Sequence, residues 1–160
     1  MSYEEDNNGG PKSTELQLGT FYLGGLRFGV DILEIQEINR QRDLTLVPHT
    51  SKQVRGVINL RGEVVSVLDL GTVLGLGEIV FGQQTRNIVL HSGGELVGVL
   101  VDRLSDVVAI DSRNLQPPPA NISGVDARFM MGVHQMDEEL IVVLKIEELL
   151  APPETANATN

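Results

Sequence analysis

The chain has no cysteine and no tryptophan, few aromatic residues of any kind, and a shortage of positive charge. Without cysteine, a disulfide framework and thiolate-held metals are excluded. Aromatics at 4% offer little from which to build a base-stacking platform for single-stranded nucleic acid. Twelve basic against 22 acidic residues give a formal charge of −10, the opposite of the basic footprint that phosphate binding needs. Long apolar runs are missing as well. No stretch approaches the ~18 residues of a membrane span, and Met1 to Thr14 is polar and acidic, unlike a signal peptide. The expectation is a cytoplasmic protein that neither inserts into a membrane nor binds nucleic acid.

What is present is a chain of 160 residues, 41% hydrophobic, enough for the core of one domain or of two very small ones packed together. Its most informative stretch runs from Arg55 to Leu70. Two β-branched runs flank a tight polar turn at Arg61-Gly62, where glycine takes backbone angles that a Cβ would forbid. This predicts a hairpin. Its second strand, Val64 to Leu70, reads as too apolar to face water on either side. Nothing in a hairpin demands the guanidinium of Arg61, which points to recognition.

Self-comparison gives the architecture. Arg55 to Leu74 lies over Met131 to Leu150 at a constant offset of 76, and earlier segments match at an offset of 69: Gly29-Val30 on Gly98-Val99, Glu37 on Asp106, Pro48 on Pro117. Each half reads as a strand meander ending in a short helix. Strands are predicted near residues 16–23, 27–30, 35–40, 55–60 and 63–70, then 86–91, 96–101, 106–110, 129–136 and 140–145. Helical turns are expected at 31–34 and 71–74, another capped by Thr50, and a short C-terminal helix at 146–150. Short strands at regular spacing predict small barrels. The fold class is therefore mainly all-β, with two packed five-stranded barrels. We expect the first over 15–80 and the second over 85–150, joined at 75–84, with disordered tails at 1–14 and 151–160.

Candidate chemistry is sparse. His49, His91 and His134 show no metal-ligand or general-base spacing. Gly75-Leu76-Gly77-Glu78 lacks the Lys-Ser/Thr of a phosphate loop and reads as a linker. No serine has a nucleophile-elbow setting. Neither catalytic residues, metal nor cofactor are expected; the chain does not read as an enzyme.

Several stretches together resemble the CheW family of bacterial chemotaxis adaptors. Phe28-Gly29-Val30-Asp31-Ile32-Leu33-Glu34-Ile35-Gln36-Glu37-Ile38 is similar to one family segment. Gly56-Val57-Ile58-Asn59-Leu60-Arg61-Gly62 with Val67-Leu68-Asp69-Leu70 is similar to a second, and Gly98-Val99-Leu100-Val101-Asp102 with Gln116-Pro117-Pro118-Pro119 follows in family order. The resemblance covers about residues 15–150. It implies SH3-like barrels and a bridging role between chemoreceptor cytoplasmic tips and the regulatory domain of the histidine kinase CheA, in arrays at the inner face of the cell membrane. It also implies that Glu37 and Arg61 form a charged pair near the receptor surface, Arg61 lying within the Asn59-Leu60-Arg61-Gly62 block. The receptor tip would dock in a hydrophobic groove between the barrels, with Ile35, Gly56, Gly98, Leu104 and Val107 around the groove or its supporting turns. Ser66 stands where proline is usual in the family, and Lys145 where aspartate is common. The competing expectation is a stand-alone tandem SH3-like module that binds a peptide or small ligand.

Overall fold

The computed structural model describes residues 14–40, 43–46 and 53–151. It is built almost wholly of strand: β1 (Glu15–Leu23), β2 (Leu26–Asp31), β3 (Ile35–Arg40), β4 (Thr45–Leu46), β5 (Val54–Leu60), β6 (Glu63–Asp69), β7 (Arg86–Ser92), β8 (Glu95–Val101), β9 (Arg103–Asp111), β10 (Asn121–Ile122), β11 (Val125–Asp126), β12 (Met130–Met136) and β13 (Glu139–Leu144). The short helices α1 (Leu70–Val73) and α2 (Ile146–Leu150) each follow a last strand. Single 3₁₀ turns begin after Asp31, Asp111 and Asp126, whose carboxylates each accept the backbone N–H two residues on. The expected helical turns at 31–34 and 71–74 are thus present. Thr50 and most of both expected tails lie outside the described residues.

The strands form a five-stranded sheet in the order β12-β13-β2-β1-β9, a six-stranded sheet in the order β3-β7-β8-β6-β5-β4, and a small β10-β11 ladder; the two larger sheets are SH3-like modules. Sheet membership crosses between the two halves of the sequence. The first hairpin, β1–β2, leaves its own half and joins β9, β12 and β13; β7–β8 likewise joins β3 to β6. The reason lies in the two parallel contacts. Val143 pairs with Gly29, and Val67 with Gly98. These are the same pairing read through the two repeat offsets, so each half completes its sheet with the hairpin of the other.

Alternation places the core. Phe21, Phe28 and Val30 of one sheet share one apolar cluster with Ile58, Val67, Ile88 and Leu100 of the other, and α2 adds Ile146 and Leu149. A second cluster of Leu18, Ile110, Ile141 and Val143 lies within the five-stranded sheet's module. Strand β6 departs from the expectation that it is covered on both faces. Val65 and Val67 are buried, but Val64 is 66% exposed and Ser66 is also exposed. It is an ordinary half-buried strand with an apolar residue facing water.

Between α1 and β7, the chain is tied down at Ile79 by Asp69. This carboxylate is fully buried and accepts from Arg55 Nη1 at 2.5 Å, Thr72 N at 3.0 Å and Ile79 N at 3.0 Å. Arg55 in turn lies over the Phe81 ring. The stretch read as a linker is a fastened strap, which the sequence alone did not disclose.

Candidate functional site

The β5–β6 turn carries the candidate arginine. Arg61 has φ 51° and Gly62 φ 90°, the two left-handed residues of a type I′ turn, and Asn59 Oδ1 accepts the Gly62 N–H at 3.0 Å. The turn delivers Arg61 to the edge strand β3, where its Nη2 donates to Glu37 Oε1 at 2.9 Å. The guanidinium is largely exposed and the carboxylate half-buried. Asn39 Nδ2 donates to the other oxygen of Glu37 at 3.0 Å. These two donors, Asn39 first and Arg61 second, draw the Glu37 carboxyl below its ordinary value. Glu37, Asn59, Arg61 and Gly62 therefore form one site.

A bulge in β3 between Ile35 and Glu37 leaves Gln36 as the extra residue, while Ile35 still pairs with Leu90 of β7. The Ile35 side chain reaches over Gly19 of β1: a Cβ on Gly19 would stand 2.8 Å from Ile35 Cδ1. Gly19 pairs with Val107 on β9. The missing side chain of Gly19 thus makes room for Ile35 of the other sheet. Leu104 and Val107 are the counterparts of Ile35 and Ile38 at the offset of 69, and β9, like β3, is an edge strand. Leu104 is 37% and Val107 61% exposed. Among the described residues, Glu37 and Arg61 have their side-chain hydrogen bonds with each other and with Asn39, and none reaches β9.

The two candidate glycines are buried and sit in a single row across the six-stranded sheet: Glu37, Val89, Gly98, Val67, Gly56 and Leu46 are successive register partners. A Cβ on Gly56 would stand 2.3 Å from the Thr45 carbonyl oxygen, so glycine here admits β4. Its repeat counterpart Gly132 has the same relation, at 2.8 Å, to the Gln116 carbonyl beside the isolated Gln116–Val133 bridge. Neither Gly56 nor Gly98 presents a surface of its own.

Sequence reasoning passed over Asn39, Gly19 and the exposed Ile38 and Val64. Asn39 was detectable as the residue two positions from Glu37 on the same side of a strand. Gly19 was not, because its role depends on a side chain from another sheet. Among the described residues no three His, Cys, Asp or Glu side chains converge as metal ligands. No helix among them is long and apolar enough to cross a membrane.

The CheW-like domain matches residues 17–154. The chain is 31% identical over 140 residues to the chemotaxis protein CheW of Klebsiella aerogenes, covering 88% of this chain and 84% of that one. It is 34% identical over 138 residues to the protein FrzA of Myxococcus xanthus, with 85% and 86% covered. The crystal structure of the scaffolding protein TtCheW from Thermoanaerobacter tengcongensis superposes with a TM-score of 0.78 at 26% identity, over 94% of this chain and 95% of that one. With a match that spans nearly every described strand, this chain belongs to the CheW-like domain family of chemotaxis coupling proteins.

Proposed function

We propose that the chain is a non-catalytic cytoplasmic adaptor that couples chemoreceptor cytoplasmic tips to the regulatory domain of the histidine kinase CheA, within arrays at the inner face of the membrane. The observation that carries this reading is the Glu37–Arg61 pair. It is an exposed ion pair joining a sheet edge to a turn, at a position where it contributes only about 0–1 kcal/mol to stability. Charge arranged at such low return in stability serves orientation and partner choice. Exposed apolar side chains lie on the same two edges, Ile38 on β3 and Val107 on β9, and Val64 follows the turn that carries Arg61. Apolar anchors beside an oriented charge pair suit one face of an amphipathic helix. In this reading Ile35, Glu37, Asn59, Arg61, Gly62, Leu104 and Val107 meet the partner, while Gly56 and Gly98 support the strands beneath. The adaptor's action is geometric: it fixes the kinase relative to the receptor, and a shift at the docking face alters that relation.

The test is co-sedimentation with receptor-containing membranes, with and without the CheA regulatory domain, together with a CheA autophosphorylation assay. Arg61→Glu is expected to weaken receptor coupling while leaving the fold intact. Adding Glu37→Arg should restore part of the loss, as a contacting pair requires. An Arg61→Glu protein that assembles ternary complexes with normal kinase control would overturn the reading.

A further inference from the structure

We infer that Asn39 and Asn87 are positioning residues for the charge pair. A line of side chains runs from exposed Arg61 through Glu37 and Asn39 to buried Asn87, is seated on the bare backbone of Gly98, and sets the direction of the Glu37 carboxylate. The consequence for binding rests on the receptor reading of the site; the line itself rests on geometry alone.

Its polarity is fixed from the outer end. An ionised carboxylate only accepts, so Glu37 takes Arg61 Nη2 on one oxygen and Asn39 Nδ2 on the other. Asn39 must then turn its carbonyl inward, where it accepts from Asn87 Nδ2 at 3.4 Å. Asn39 and Asn87 are direct register partners on β3 and β7. That orientation leaves Asn87 Oδ1 with no partner among the described residues, although Asn87 is only 1% exposed. An orphaned buried carbonyl is destabilising. Ile88, Val89 and Leu90 follow on the same strand, and an apolar residue at 87 would remove the cost. Stability therefore gives no account of Asn87, whereas holding Asn39 does.

Gly98 is the seat. A Cβ at this position would stand 2.4 Å from Asn87 Oδ1 and 2.9 Å from its Nδ2. A side chain here drives Asn87 toward Asn39 and turns Glu37 away from Arg61. Gly98 thus acts on the surface through three side chains without reaching it. The depressed Glu37 carboxyl, whose largest cause is Asn39, agrees with the line.

The experiment follows the Glu37 carboxyl by carbon-detected NMR titration in the full chain, alongside binding of a chemoreceptor cytoplasmic fragment and thermal melting. Asn39→Ala, Asn87→Val and Gly98→Ala should each raise the Glu37 midpoint toward its ordinary 4.5 and weaken fragment binding several-fold. Asn87→Val should melt no lower than the parent, which a merely structural asparagine would not allow. In the Gly98→Ala background, Asn87→Val should add little further shift to the Glu37 midpoint, because both changes break the line at the same place. Should Gly98→Ala fail to fold, Asn39→Ala and Asn87→Val decide, since both keep the glycine. An unchanged Glu37 midpoint in those two variants overturns the inference. A midpoint that moves while fragment binding does not upholds the line and removes the receptor reading of the site.

Discussion

Arg61 holds a backbone conformation that three of the other hairpin turns assign to smaller residues: Gly24-Gly25, Gly93-Gly94 and Ser123-Gly124 all have positive φ at both positions. For a residue with a long side chain the left-handed region costs roughly 1–2 kcal/mol, from which asparagine is largely exempt. The ion pair returns at most ~1 kcal/mol. Arg61→Asn should therefore stabilise the fold slightly, by up to about 1 kcal/mol, in chemical denaturation while impairing receptor coupling. A destabilised variant would show that the guanidinium is held for the fold. The carboxylates give a second test at this scale. Glu37 is drawn down by Asn39 and then Arg61, Glu139 by Tyr22 and then Arg27, and Asp111 to about 2 by Arg113. A carboxyl with a lowered folded value supplies stability that is complete above its ordinary value and drains as pH falls through the folded one. Tyr22 has the opposite sign: its hydrogen bond to Glu139 raises it, so its contribution is full below 10.0 and fades as pH climbs past the raised value. Denaturation midpoints should be flat near neutrality, decline below about pH 4.5 and decline again above about pH 10. A maximum in the acid range would contradict this assignment.

At the scale of elements, α1 and α2 are repeat counterparts that begin differently. Asp69 caps α1 by accepting the Thr72 N–H, whereas Lys145 at the start of α2 makes no side-chain cap. A lysine there also sets positive charge against the positive end of the helix. Lys145→Asp should raise stability by about 1 kcal/mol, read as a higher melting temperature. No gain would mean that the lysine has a role the helix does not reveal. Elements with a clear period were legible in the sequence: β3 and α2 have their expected bounds, and most other strands differ by a residue or so. β9 begins at Arg103, three residues before the expected start. The two-residue strands β4, β10 and β11 went unforeseen, since a pair of residues carries no periodicity. The exposed side of β6 was misread because Val64, alone among its apolar residues, meets solvent for want of anything packed over it.

At the scale of the molecule, the exchange of hairpins makes neither half self-sufficient. A fragment of residues 1–80 retains β1 and β2 but lacks β9, β12 and β13, with which they form a sheet; 81–160 lacks the partners of β7 and β8. Each fragment alone should show little strand signal by circular dichroism and expanded size on gel filtration. Mixing the two should restore a compact β protein of intact mass. Independent folding of either fragment would refute the dependence. The shared core reinforces this expectation, because its apolar cluster draws residues from both sheets.

The sequence by itself determined the repeat, the strands and the turn chemistry, since period, β-branching and glycine at positive φ act within a few residues. It also marked the Asn59-Leu60-Arg61-Gly62 block and, through the family resemblance, the partner of Arg61. Only the tertiary structure decided which hairpin completes which sheet, because parallel pairing of β2 with β13 and of β6 with β8 joins residues far apart along the chain. It alone placed Ile35 over Gly19, Asn87 beside Gly98 and Asp69 beneath the strap. Those contacts depend on what a neighbouring strand lacks or buries, and local sequence does not encode that.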